Sequence, residues 1–463
     1  MPHLIACEDL FKHLEYVDQS MKQIRAQALK SELESYDAML AGQVPADWRF
    51  KEYRKRTIVT LAGEITYIRR IYTEPSGICH AYLDEVLGIR TRKKLAPDAF
   101  LWIAKMAADI SFRKTARAFF ERTGAKISHW LVLQVIREEG ELILEELYDR
   151  LTGKDQVYPG PLRFSTDTLF VEYDGINIPL QKPVHEPKKL RWLYEHDRHK
   201  QSFELKCAVA YMGKNERGQR GGAIHFVSGK APGQFWSLLR TRIAQYYVPK
   251  DILAINVSSD AAGWCKNHAL DELNPEARIT CQLCPYHVNR EIRKAFGVGK
   301  KANYIIGLLY EKRAGKVLEI LKRIIAHAKK PQVYRDLYNY LKNNITLIEG
   351  GRPLSMGTME GTNAHVYAAR MKVWGGAWSE EGALAMALVR AHIASGQELI
   401  APRPDNVMLS KAQVRRRERY EESLFKGIKY LPEAEGKGYE PPQGSIALTT
   451  HMASYLYGVL NYT

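Results

Sequence analysis

The stretch Thr168-Leu-Phe-Val-Glu-Tyr-Asp-Gly-Ile-Asn-Ile178 constrains this chain most. An apolar strand that surfaces as Asp174-Gly175 holds one carboxylate rigidly at the edge of a sheet. Side chains alternate along a strand, so Phe170, Glu172 and Asp174 share one face while Val171 and Tyr173 take the other, and the first face turns acidic at its end. Taken alone, the stretch fits a surface strand closing in a Tyr-Asp-Gly turn. Carboxylates further along the chain give it a second meaning.

Length and charge narrow the setting. At 463 residues the chain exceeds one compact core, and the soft expectation is about three domains. With 45% hydrophobic and 26% charged residues it reads as globular and soluble. There is no apolar run long enough to span a bilayer, and charge appears too early for a signal peptide, so a cytoplasmic, nucleoid-associated protein without a membrane partner is expected. The formal net charge of +16 suits a polyanion, and nucleic acid is the default partner. Six dispersed cysteines show no disulfide framework.

From about Cys7 to Gly42 the pattern is helical. Leu10, Leu14, Val17, Met21, Ile24 and Ala28 fall at alternating steps of four and three, a short heptad seam that either packs on its own domain, the reading favoured here, or joins a second helix. Arg56 to Tyr72 reads as a hairpin around Ala62-Gly63 with Arg69 and Arg70 on its second strand, suited to phosphate or to guarding an edge. Pro97 starts a helix buried through Phe100, Ile103, Ala104, Ala107 and Ala108. Ser111 caps a second helix, with Phe112, Ala116, Phe119 and Phe120 facing inward and Gly124 ending it. Ser128 caps a third, with Leu131, Val135 and Leu142 inward. These last two form a helix-turn-helix candidate whose DNA-facing residues would be Arg113, Lys114, Arg117, Arg122, His129 and Gln134, with Arg137 a further outward candidate. Glu138 and Glu139 limit groove entry to the front of the third helix, and trihelical cores without DNA function are common.

After Tyr158-Pro-Gly-Pro161 the pattern becomes β-rich. The anchor strand is followed by a basic insertion (181–201), strands at 203–211 and 222–227, a helix at 233–247, a strand at 252–257 ending in Ser258-Ser-Asp260, and a strand at 278–283 leading into Cys284-Pro-Tyr-His287. That order is the ribonuclease H-like one, a mixed sheet flanked by helices. Such a sheet sets the ends of its first and fourth strands side by side, which makes Asp174 and Asp260 neighbours. Paired carboxylates are costly without a cation, so the pair suggests Mg²⁺, with Mn²⁺ able to substitute. Two such ions activate an attacking oxygen and stabilise a leaving 3′ oxygen at a phosphodiester. Glu360, on a helix entered from a loop, is the best third ligand, and Glu172 a weaker fourth. Arg370 and Lys372 beside it could grip the DNA backbone. Cys281-x-x-Cys284-x-x-His287 invites a zinc reading with Cys265, although half of a full zinc spacing is missing. His287 is better placed as a polar contact near the scissile phosphate, the plainer alternative being a strand-end histidine bonded to backbone.

Asp174-Gly175, Ser259-Asp260-Ala-Ala-Gly-Trp264 and Met359-Glu360-Gly-Thr-Asn363, followed by Arg370-Met-Lys372 and Trp378, resemble the Asp-Asp-Glu transposases of bacterial insertion sequences, most closely the ISLre-type branch with its Mutator-related layout. Cys284-Pro-Tyr-His287 is similar to the element those enzymes carry after the second aspartate. The resemblance implies Asp174, Asp260 and Glu360 as metal ligands and a helical insertion between the last two. One departure is Ser-Asp-Ala where relatives have Gly-Asp-Gly, a less permissive loop.

The expected organisation follows. Residues 1–47 form an N-terminal helix suited to oligomerisation, and 48–157 a hairpin and helix-turn-helix region. Residues 158–287 and 351–400 form the ribonuclease H-like catalytic domain, 288–350 a helical insertion, and 401–463 a basic tail, with Lys411 to Arg419 as a basic helix. The expected function is DNA transposition on double-stranded terminal repeats and target, as a homodimer or higher oligomer. A ribonuclease H-like nuclease without strand transfer and a non-catalytic, transposase-derived DNA-binding protein are the alternatives.

Overall fold

The alternation of β-branched and aromatic residues after Thr168 produces the central strand of the protein. The computed structural model describes residues 10–90, 93–151, 163–181, 202–229, 232–260, 270–349, 356, 359–373, 376–402, 415 and 419. The expected basic insertion, most of the tail helix and Cys265 lie outside the described residues. Among the described residues no helix is long and apolar enough to cross a membrane.

The chain divides into two units, residues 1–72 with 80–408 and residues 73–79 with 409–463. Of the second unit, Arg415, Arg419 and the turn 73–79 are described, the turn closed by Gly77 N–H donating to Glu74 O at 2.8 Å and Glu74 N–H to Ile78 O at 3.0 Å. All else below belongs to the first unit.

Helix α1 (Leu10–Leu40) packs its second half, through Ala26, Leu29, Leu33, Tyr36 and Leu40, on a hairpin of β1 (Arg49–Thr60) and β2 (Gly63–Thr73). The hairpin starts seven residues earlier than its β-rich pattern suggested, because Arg49 to Lys55 form a strand that is mostly solvated and so lacks apolar periodicity. Its two second-strand arginines are internal struts. Arg69 pairs with Asp84 at 2.8 Å, on α2 (Tyr82–Val86), and Arg70 pairs with Asp37 of α1 at 2.7 Å. A two-residue strand, β3 (Cys79–His80), precedes α2.

Helices α3 (Pro97–Asp109), α4 (Phe112–Thr123) and α5 (His129–Leu151) follow the expected signals. Ser111 Oγ accepts from Lys114 N–H, Gly124 ends α4 in the left-handed conformation (φ 74°), and Ser128 Oγ accepts from Leu131 N–H. Phe100, Ile103, Ala104, Ala107 and Ala108 are buried as read. Phe120 is not; it is 42% exposed, with Lys126 over its ring. The expected boundary near residue 158 does not divide the core, since α3, α4 and α5 share one hydrophobic cluster with a face of the main sheet.

That sheet has five strands, β4 (Thr168–Pro179), β5 (Ser202–Tyr211), β6 (Ile224–Ser228), β7 (Ala254–Ser259) and β8 (Arg278–Leu283), in the order β6-β5-β4-β7-β8. β5 runs antiparallel to both its neighbours, β4 and β6, and β4, β7 and β8 run parallel. Leu169, Val171 and Tyr173 face one cluster with α6 (Pro232–Tyr246), whose Trp236 meets Tyr173 edge-on at 4.8 Å. Phe170, Ile176 and Ile178 face the cluster that holds α3 to α5. The period of two is therefore realised with both faces covered. Between β7 and β8 the described residues include a 3₁₀ turn, Leu270–Glu272.

After β8 come α7 (Pro285–Phe296), α8 (Lys300–Tyr310), α9 (Ala314–His327), α10 (Gln332–Asn343) and α11 (Ile345–Glu349), which bury their own apolar stripe. The chain returns as an interrupted helix, α12, made of Met359–Thr362, a π-helical Asn363–Ala368 and Ala369–Met371. Last comes α13 (Glu380–Ala394), capped by Ser379 and buried along most of its length against α5 and the sheet. A Cβ at Gly140 of α5 would lie 2.8 Å from Ala385 Cα, so glycine permits this close crossing.

Candidate functional site

Parallel pairing of β4 with β7 places Tyr173 opposite Ser259, so the next residues of the two strands, Asp174 and Asp260, emerge together. They line a cleft of about 410 Å³ with Glu204, His287, Arg290, Glu360, Asn363 and Lys372. Asp174, His287 and Glu360 each bring one ligand atom within 4.8 Å of the others. Asp260 lies at the edge of this group, where the described part of β7 ends.

Asp174 is buried and held from two sides. Its own neighbour Gly175 donates N–H to Oδ1 at 2.8 Å, and Asn363 Nδ2 donates to Oδ2 at 3.0 Å. Burial, then the charges of Asp260 and Glu360, push the Asp174 carboxyl up to about 7, against the Gly175 hydrogen bond and the attraction of Arg290. Asp174, His287 and Glu360 thus form a group whose spacing could hold a metal ion.

His287 stands on the first turn of α7, with Nε2 3.3 Å from Glu360 Oε1. Burial, reinforced by Arg290, lowers its pKa below the ordinary 6.5, so near neutral pH the ring is uncharged and Nε2–H can donate to the carboxylate. Its buried Nδ1 has no hydrogen-bond partner among the described residues. His287 thus steadies the Glu360 carboxylate at the cleft.

Glu172, read as a weaker metal ligand, does something else. Tyr211 OH donates to its Oε1 at 2.6 Å, and Met359 N–H donates to its Oε2 at 3.2 Å. The buried carboxylate therefore docks the first residue of α12, next to Glu360, onto the sheet. Two arginines secure the other end of α12. Arg370, expected on DNA, is buried, donates from Nε to Ala107 O at 3.0 Å, and stacks over Phe112 and Trp378 at 5.0 and 5.2 Å. Burial lowers its pKa to about 10, with Arg390 adding to the effect. Arg390 of α13 bonds the carbonyls of Val366, His365 and Ala108. These contacts satisfy carbonyls left open at the end of α3.

Lys372, read as a candidate contact to the DNA backbone, is exposed and lines the cleft. Arg113, Lys114, Arg117 and Arg122 are exposed on α4, Arg117 paired with Glu121 at 2.8 Å and Arg122 over Trp102 at 5.7 Å. His129 is exposed and Gln134 half-buried at the front of α5. Arg137 is partly enclosed, 3.2 Å from Glu381 and over the ring of Trp130 at 5.8 Å. Glu138 pairs with Arg90, and Glu139 is buried, accepting from Ile400 N–H at 2.8 Å, with burial pushing its pKa up to about 7. Cys281 packs against the cluster of α6, Cys284 caps α7, and burial raises both thiols, Cys284 to about 11. Among the described residues neither cysteine belongs to a group of three metal-ligating side chains.

The model of an uncharacterised protein family, UPF0236, matches residues 8–404. This chain belongs to that family. A UPF0236 protein of Caldanaerobacter subterraneus subsp. tengcongensis, whose name joins eleven locus designations, is 24% identical over 362 residues, covering 76% of this chain and 70% of its own length. A second from that organism, under four locus designations, is 23% identical with the same coverage. A Streptococcus gallolyticus protein described as "UPF0236 protein in vanSb 3'region" is 20% identical over 393 residues, 82% of each chain.

Four residues of this UPF0236 site escape sequence reasoning in their roles. Asn363 lies within the Met359–Asn363 motif, but its bond to Asp174 depends on the π-helical turn. Glu204 reaches the cleft across Gly175, where a Cβ would come within 2.5 Å of its Oε1; strand pairing alone brings it there. Arg290 stands one helical turn after His287, a spacing visible once α7 is known. Glu172 is conspicuous in the sequence, and only the register with Tyr211 and α12 reveals its use.

Proposed function

We propose that this UPF0236 protein is a metal-dependent DNA transposase that cleaves and rejoins phosphodiesters through Asp174, Asp260 and Glu360. The observation that carries the reading is the convergence of these three carboxylates, with His287, in one cleft where β7 ends beside the middle of β4. The sheet order, three antiparallel strands followed by two parallel ones with the first and fourth adjacent, supports a ribonuclease H-like core.

The donor set fits a hard divalent cation such as Mg²⁺ or Mn²⁺: oxygen ligands predominate, and burial, followed by the charges of Asp260 and Glu360, raises Asp174, a strain that a bound cation would relieve. Bound there, a pair of such cations would supply an activated attacking oxygen and neutralise charge on the leaving 3′ oxygen. The chain's own residues prepare the geometry. Asn363 and Gly175 aim both oxygens of Asp174, His287 aims Glu360, and Glu172 holds α12 against the sheet. Arg290 and Lys372 at the cleft, exposed Arg113, Lys114 and Arg117 on α4, and exposed Arg49, Lys51, Arg54 and Lys55 on β1 offer cations to DNA phosphates. The capped α4–Gly124–α5 corner supports a helix-turn-helix contact limited to the front of α5, because the rest of that helix is packed on α13.

One relative sequence under eleven locus designations in a single organism is also what a self-copying gene produces. The test incubates purified protein with Mg²⁺ or Mn²⁺ and labelled DNA from the ends of its own locus, with Asp260→Ala as control. Cutting at the boundary and joining of the 3′ end to a target, both absent from the control, are expected. Hydrolysis without joined product would favour the nuclease reading; specific binding with neither metal supporting cleavage would favour the non-catalytic one.

A further inference from the structure

Helix α1 carries two apolar stripes, and only one has a partner among the described residues. Ala26, Leu29, Leu33, Tyr36 and Leu40 pack on the hairpin. Leu10, Leu14, Val17, Met21 and Ile24 lie in solvent, 72, 57, 42, 49 and 59% exposed. Each helical position turns by about 100°, so the step from Leu29 of the packed stripe to Ala28 of the other is a change of face. Hydrophobic side chains this large, consecutive along one face, are an unused binding surface rather than the scattered exposure that any soluble protein shows.

The spacing says what covers it. Steps of four and three from Leu10 to Ala28 give the 3.5-residue period of a seam that meets another helix by knobs-into-holes packing. Symmetry then says whose helix. Set against a second copy by an antiparallel twofold, Leu10 faces Ala28, Leu14 faces Ile24 and Val17 faces Met21, so every layer pairs one seam residue with another and none meets a polar side chain. A patch that matches itself in this way is what an isologous interface requires.

We infer that the first half of α1 is a self-association element that pairs with the same segment of a second copy in an antiparallel coiled coil. The inference stands apart from the reading of the cleft, since neither the seam nor its partner involves the carboxylates. The loss of apolar character at Ser31 and Ser35 ends the seam where the packed stripe of the same helix takes over.

Light scattering behind size-exclusion chromatography tests it on the full-length native protein, on the Leu14→Glu/Met21→Glu double variant, and on Gln23→Glu, an exposed control off the seam. The native protein and the control are expected at twice the chain mass and the double variant at the chain mass, with unchanged thermal midpoint for the folded body because Leu14 and Met21 lie in solvent. A native protein that is monomeric at micromolar concentration, or a dimer that survives the double substitution, overturns the inference. So does a monomer that instead floats with vesicles of anionic lipid, which would make the seam a lipid-binding face. DNA cleavage by a strictly monomeric protein would leave the cleft reading intact and remove only this one.

Discussion

Replacing Asp174 by asparagine should make the metal-free protein more stable, and increasingly so as pH rises. The Asp174 carboxyl titrates at about 7 in the fold, against an ordinary value of 3.8. Between those two values the native state binds more protons than the unfolded chain, so stability falls as pH rises through the window and the penalty is complete above about pH 7. A separation of about three pKa values is worth about 4 kcal/mol at 1.36 kcal/mol each. The substituted amide would keep one acceptor for Gly175 N–H and would present an NH₂ to Asn363, which costs about 1 kcal/mol. Asn363 Oδ1 has no partner among the described residues, so a flip of that amide converts the clash into a bond. The net gain is about 3 kcal/mol at pH 8, shrinking toward nothing at pH 4. Urea unfolding of the native protein and Asp174→Asn in EDTA at pH 8, 6 and 4 measures it. A variant less stable than the native protein at pH 8, or a difference that does not change with pH, refutes the reasoning.

Glu172→Ala frees the buried Met359 N–H and Tyr211 OH; it should lower stability by about 2 to 4 kcal/mol in urea melts and raise the Mn²⁺ concentration needed for half-maximal cleavage. Gly140→Ala would gain about 1 kcal/mol in an exposed helix. Here the new Cβ meets Ala385, so the urea midpoint should fall, by about 1 to 3 kcal/mol in free energy, and a rise would contradict the close crossing of α5 and α13. Arg370→Ala should lower the thermal midpoint while leaving the salt slope of DNA binding unchanged, whereas Lys372→Ala should spare the midpoint and reduce that slope by about 1.

The strands of the main sheet were legible because each buries one or both faces with a period of two, and Asp260 because it directly follows the end of such a strand; Asp174-Gly175 reads as a strand end, but β4 runs on through it to Pro179, paired with β5. β1 was legible only from Arg56 onward, since its first seven residues are largely solvated and carry no hydrophobic alternation. Arg370 is misleading for a related reason. A charged residue near a catalytic motif reads as a ligand contact until the fold reveals the carbonyl of Ala107 and the rings of Phe112 and Trp378 around it. The domain boundary near residue 158 marks a change from helix to strand, yet α5 and α13 are too closely packed for the composition shift to be a structural joint. Partners distant in sequence, such as Glu172 with Met359 or Asn363 with Asp174, leave no local pattern at all. They become visible only when α12 is laid on β4.

The most direct test of the central claim is Mn²⁺ uptake, followed by loss of the free-ion paramagnetic resonance signal, in the native protein and in Asp174→Ala, Asp260→Ala and Glu360→Ala. The account predicts binding by the native protein that each substitution abolishes or greatly weakens, with metal-dependent DNA scission lost in parallel. Uptake that is indifferent to all three substitutions, or scission that persists without them, would contradict it.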